Sequence, residues 1–190
     1  MIDSTKHLRD LAAVASKAAE LLGPQIADAA RLARETILSG GTIFFCGNGG
    51  SAADAQHMAT EYVVRYSRNR RALRAIALTT DSSILTATGN DIGFDEVFAR
   101  QLEALGRSGD LLMIHTTSGN SPNCLRVAEQ AKRIGVRTVC LTAGTGGRIK
   151  GMVDVCLVVP TGRTDRAQEI HLNIQHAICE SVDDEILKGA

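Results

Sequence analysis

Apolar and polar positions change period several times along the chain. Between residues 5 and 22, Leu8, Leu11, Ala12, Val14, Ala15, Ala18, Leu21 and Leu22 recur at helical spacing. Pro24 opens a second helical pattern that runs to Leu38 and stops at Gly40-Gly41. Residues 1–40 are therefore expected to form a helical pair, packed on the rest of the chain or on a neighbouring subunit. Beyond them, short apolar runs predict strands at 42–46, 75–78, 110–115, 137–142 and 153–160. Amphipathic stretches predict helices at 51–66, 94–105, 122–134 and about 164–187. The stretch from residue 79 to Gly89-Asn90-Asp91 reads as a polar connection.

Five buried strands alternating with helices imply an α/β fold, a three-layer, doubly wound sandwich around a parallel sheet. In such sheets ligands bind beyond the carboxyl ends of the strands, at the point where strand order reverses. Three polar loops directly follow strands: GNGGS, the stretch leading to GND, and TTSGNS. They are expected to gather on one edge. With no internal repeat or linker, residues 1–190 read as one domain.

Composition narrows the function classes. A chain of 190 residues can bury roughly 70% of its unfolded surface and needs neither a disulfide nor a structural metal to fold. Cys46, Cys124, Cys140, Cys156 and Cys179 form no CxxC pair and lie mostly in apolar runs, as expected of reduced core thiols in a cytoplasm. The N-terminus lacks the plan of a secretory signal, and no apolar run has the length of a membrane span. Basic and acidic residues number 21 each, and aromatics make up 3% with no Trp. That balance argues against a nucleic-acid surface.

Two loops carry anion-binding chemistry. Gly47, Asn48, Gly49, Gly50 and Ser51 sit between a strand and a helix, where backbone N–H groups and the positive helix end can hold an anion. The ordinary alternative is that the glycines only relieve backbone strain. Thr116, Thr117, Ser118, Gly119, Asn120 and Ser121 precede a helix opening with Pro122. Ser121 is expected to act as N-cap, leaving Thr116, Thr117 and Ser118 to bond phosphate oxygens. With no Walker lysine, the pattern suggests a phosphorylated metabolite that is held, rather than a phosphoryl group that is transferred.

His57 and Glu61, four apart on the helix after the glycine loop, share a face. Such a pair can bind a metal or move a proton, or can be an ordinary solvated pair. The last helix offers Asp165, Gln168, Glu169, His171, Gln175 and His176. Gln168 and His176 share one side, Gln168 and His171 another, so periodicity leaves the choice of histidine open. From Gln168 to His176 the helix rises about 12 Å, so the side chains converge on something between them or come from different subunits. Taken alone, His171 reads as a surface or satisfied residue. The cluster Arg65, Arg68, Arg70, Arg71 and Arg74 reads as a solvated loop or subunit contact.

With these residues in view, the chain resembles the sugar isomerase (SIS) domains, and among them the phosphoheptose isomerases. CGNGGSAADAQHMATE, GNDIGF, TSGNS and QEIHLNIQH carry the resemblance, which spans nearly the whole chain. It implies the five-stranded SIS fold and conversion of D-sedoheptulose 7-phosphate to D-glycero-D-manno-heptose 7-phosphate, the first step toward ADP-heptose for bacterial surface polysaccharide. It further implies a cytoplasmic homotetramer with active sites at subunit contacts and one zinc ion per subunit. Carried over by motif, the zinc ligands are His57, Glu61, Gln168 and His176. The substrate contacts are Asn48, Gly49, Gly50, Asn90, Asp91, Thr116, Thr117, Ser118, Ser121 and Gln168. The resemblance thus selects His176 over His171. Glu61 is the candidate base and His176 the partner acid, with Asp165 orienting or assisting. Thr116 departs from the usual serine, and His115 is an unusual bulky polar residue at its strand end. The same fold also serves a non-catalytic tetramer that binds the replication initiator protein and isomerases of other sugar phosphates. The regulator lacks counterparts of Glu61 and His176, which favours the enzyme.

Overall fold

The run Ile43-Phe44-Phe45-Cys46 is buried on both sides, and the alternation of its side chains builds two separate cores. In the computed structural model, which describes residues 4–188, Ile43 and Phe45 enter one core with Leu111 and Met113. Phe44 and Cys46 enter the other with Leu112 and Ile114. A period of two with both faces apolar is what a central parallel strand requires. The strands are Ile43–Gly47 (β1), Ala75–Ala77 (β2), Leu111–His115 (β3), Arg137–Ala143 (β4) and Val155–Val159 (β5). They pair in parallel in the order β2-β1-β3-β4-β5.

Three helices cover the first core: Ser4–Leu38 (α1), Gly50–Val63 (α2) and Thr164–Lys188 (α6). On the other face lie Ser82–Asp91 (α3), Ala99–Leu105 (α4) and Pro122–Ile134 (α5). The expected three-layer α/β sandwich with a five-stranded parallel sheet is therefore what the chain forms. Strand order reverses between β1 and β3, so the loops after these strands flank the crevice where such sheets bind ligands. No helix among the described residues is long and apolar enough to cross a membrane.

Several local expectations are corrected. The N-terminal segment is one continuous helix instead of a pair, with Pro24 inside it. Pro24 and Gly23 lie on the exposed side, while Ala18, Leu22, Ala29, Ala33 and Ile37 are buried in the first core. Packing on both sides of the proline, against α6 and β5, holds the helix through the missing N–H. The polar connection after β2 is a helix, α3, because the Asp81 carboxylate accepts the Ile84 N–H at 2.9 Å and caps it. The helix expected at 94–105 is broken into a 3₁₀ turn at Phe94–Glu96 and then α4. In the basic cluster, Arg70 is not solvated: its side chain is 1% exposed and paired with Asp183, which is fully buried.

Candidate active site

The glycine loop has separate reasons for its glycines. Gly49 precedes α2 with φ 56° and ψ −121°, a left-handed conformation that side chains resist. Gly50 lies against Gln168, and a Cβ there would come within 2.6 Å of Gln168 Nε2. Asn48 and Asn123 exchange two hydrogen bonds of 2.8 Å through their amides, tying the loop to the first turn of α5. The Asn48 side chain is thus already committed within the chain.

Across the crevice, Thr116 is buried and its hydroxyl lies 3.3 Å from that of Ser121. Ser121 occupies the N-cap position of α5 but makes no side-chain cap bond, contrary to expectation, because its hydroxyl faces Thr116. Ser118 Oγ accepts the Asn120 N–H at 3.2 Å. Thr117 and Ser118, with Gly144, Thr145, Arg163 and Thr164, line a cavity of about 290 Å³ between the loops after β3, β4 and β5. Hydroxyls, one guanidinium and two helix starts thus share the carboxyl edge of the sheet.

Helices α2 and α6 both begin at that edge and run side by side. Gln168 consequently lies over Gly50, and His176, two turns further on, over His57 and Glu61. His57 Nε2 is 3.0 Å from His176 Nε2 and 3.3 Å from Glu61 Oε1. The three donor atoms all fall within 4.8 Å of one another. Burial lowers the His176 pKa, the neighbouring His57 lowers it further, and Glu61 opposes both. Tyr66 stacks on the His176 ring, with centroids 5.2 Å apart and planes 21° from parallel. Two imidazole nitrogens and a carboxylate oxygen aimed at one point form a donor set suited to a divalent cation or a shared proton.

Behind this surface lies a buried polar layer. His115 and Gln175 are fully buried, with the Gln175 amide 2.9 Å from His115 Nε2. His171, also fully buried, has Nε2 3.1 Å from the Thr142 carbonyl oxygen. Burial depresses both histidines, His115 to about 3 and His171 to about 4. His171 is therefore an interior residue, bonded through Nε2 and with its Nδ1 buried without a partner, and the bulky polar His115 at the end of β3 faces inward.

The remaining candidates stand apart from the triad. Asn90 and Asp91 end α3, exposed and bonded to each other at 2.6 Å. Asp165 opens α6, and the Arg163 guanidinium beside it holds its pKa down to about 2. Two neighbours escaped the sequence reading. Asp54 lies three residues before His57 on α2, half-buried, with one oxygen lacking a partner and its pKa raised by burial. The spacing 54, 57, 61 was the available signal for it. Tyr66 lies beyond the helix and reaches His176 only because the chain folds back, so no periodicity marks it.

Two polar loops at the switch point of a parallel sheet, one of them rich in hydroxyls, thus stand beside a histidine–carboxylate triad. The chain belongs to the SIS domain family, whose model matches residues 6–143. It is 50% identical to the phosphoheptose isomerase of Akkermansia muciniphila over 91% of this chain and 92% of that one. It is 54% identical to that of Chlorobaculum parvum, over 83% and 77%. The solved phosphoheptose isomerase of Neisseria gonorrhoeae superposes with a TM-score of 0.90 at 42% identity, over 95% and 96%. Within the SIS domains the chain is accordingly a sugar-phosphate isomerase, of the phosphoheptose isomerase group.

Proposed function

We propose that the protein interconverts D-sedoheptulose 7-phosphate and D-glycero-D-manno-heptose 7-phosphate, the first step toward ADP-heptose for a surface polysaccharide. One observation carries the chemistry: His57, Glu61 and His176, from two different helices, converge within 4.8 Å beside a loop edge fit to hold a phosphate. A ketose-to-aldose shift needs a proton moved between C1 and C2 and the charge on the enediolate oxygens balanced. Glu61 takes and returns that proton, and His176 beside it exchanges the proton of the neighbouring oxygen. Thr116, Thr117, Ser118 and Ser121 hold the phosphate. Asn48, Gly49, Gly50 and Gln168 border the sugar, and Asp165 orients the start of α6. Asn90 and Asp91 lie on a separate surface, which suits a site completed by a neighbouring subunit of a homotetramer.

The donor set fits zinc: two imidazole nitrogens and a carboxylate, all within one coordination sphere's reach. His57, Glu61 and His176 would hold the ion, and Gln168 would be the fourth ligand. Bound there, zinc would supply positive charge to polarise the substrate carbonyl. Working in a cytoplasm, the enzyme would act on a soluble small molecule.

The test is to incubate purified protein with sedoheptulose 7-phosphate, with fructose 6-phosphate as competitor substrate, and follow aldose formation by NMR. Turnover of the heptulose, lost with a chelator and restored by zinc, is expected. Absence of turnover with either sugar, together with firm binding to a replication initiator protein, would sink the proposal.

A further inference from the structure

The segment between α2 and β2 does more than connect them. Its Arg70 is buried and uses three nitrogens on four acceptors. Nε donates to Asp183 Oδ1 at 2.7 Å and Nη2 to the Glu61 carbonyl at 2.7 Å. Nη1 donates to the carbonyls of Tyr62 and Arg71, at 2.8 and 3.0 Å. The guanidinium therefore bonds two carbonyls of the last turn of α2, those of Glu61 and Tyr62, where a cation is also favoured by the helix dipole. At the same time it binds a carboxylate of α6.

The positions of these contacts give the pair its meaning. Glu61, whose own carbonyl is gripped, belongs to the triad. Asp183 lies seven residues after His176, two turns along the same face of α6. One buried ion pair thus links the main chain of one triad member to the helix that carries another. The same segment also lays Tyr66 on the His176 ring.

We propose that Arg70, with Asp183, is a positioning residue for the reaction: it sets the register of α2 against α6 and so the distance of Glu61 and His57 from His176. Both side chains are buried against each other. The pair acts on the triad and leaves the phosphate loop after β3 unaffected. The kinetic part of the test rests on the isomerase reading; the spectroscopic part does not.

Because Arg70→Ala would strand a buried carboxylate, the test uses Arg70→Met/Asp183→Leu, which removes both charges at similar volume, and Asp183→Asn, which keeps an acceptor for Nε. Imidazole nitrogen resonances of His57 and His176 are recorded by NMR, with the amides of Thr117 and Ser118 as internal reference. In the double variant the imidazole signals should move while the reference amides stay. Its kcat should fall by at least about tenfold with KM nearly unchanged, since an ångström of misplacement is that costly. Asp183→Asn should restore most of both. A folded double variant with wild-type imidazole signals and kcat overturns the proposal. If the double variant does not fold, Arg70→Lys, which cannot span the same acceptors, decides on the same signals. A wild-type protein inactive on sedoheptulose 7-phosphate would refute the isomerase reading, while the imidazole comparison would still decide this one.

Discussion

Helix α6 carries two histidines five residues apart, and their surroundings could hardly differ more. His171 faces the sheet, fully buried, bonded to the Thr142 carbonyl and held neutral down to about pH 4. His176 faces α2, partly open, with His57 and Glu61 within reach and Tyr66 against its ring. One histidine bonds the helix to the core and the other works at its surface. A residue type thus carries no role of its own; the helix face and what packs on it assign one.

The sharpest way to break the contrast is to exchange the losses. His176→Ala, like Glu61→Gln, should lower turnover of sedoheptulose 7-phosphate by about 10²–10⁴-fold with the melting curve little changed. Wild-type rates in either variant would remove the triad from the mechanism. His171→Leu should do the reverse, keeping most of kcat. It should cost about 1–3 kcal/mol of stability in urea unfolding, because the Thr142 carbonyl is left buried without its partner.

Acid offers a second separation. His115 and His171 have folded pKa values near 3 and 4, below the ordinary value of 6.5. Between those limits the unfolded chain binds protons that the native state refuses. Their contribution is therefore intact above pH 6.5 and lost as pH falls toward 4 and then 3. The loss is about 1.4 kcal/mol per pH unit for each histidine. His171→Leu should make this slope shallower, whereas His176→Ala should hardly alter it. Equal slopes in urea titrations of the three proteins at pH 5 and pH 7 would contradict the assignment of the buried layer.

The smallest effect concerns the end of the α2–α6 seam nearest the loops. Gly50→Ala places a methyl group where the Gln168 amide lies, so that side chain must swing away. A drop of about tenfold in kcat/KM, or about 1.4 kcal/mol, is expected with stability held or slightly raised by alanine's helix propensity. Unchanged kinetics would mean that Gln168 does not act from this position.

Much of this was legible in the chain. The alternation of IFFC and LLMI, apolar on both faces, specified central parallel strands, and the spacing of His57 and Glu61 put them on one helix face. What failed had physical reasons. Pro24 reads as a helix boundary, yet burial on either side carries α1 through it. Ser82 to Asp91 has weak helix propensity and depended on the Asp81 cap. Arg70 looked like one more surface charge, since nothing near it in sequence announces Asp183, 113 residues away.

The sequence by itself determined the layered α/β architecture, the placement of the loops after β1 and β3 at one edge of the sheet and, through its motifs, the family. Those properties follow from local periodicity and from glycine and hydroxyl residues whose positions along the chain are enough to place them. Only the tertiary structure decided how closely His176 approaches His57, that Gln168 covers Gly50, and that a buried arginine grips the end of α2. Each of these depends on the register of two helices far apart in the chain, which packing fixes and periodicity alone leaves free.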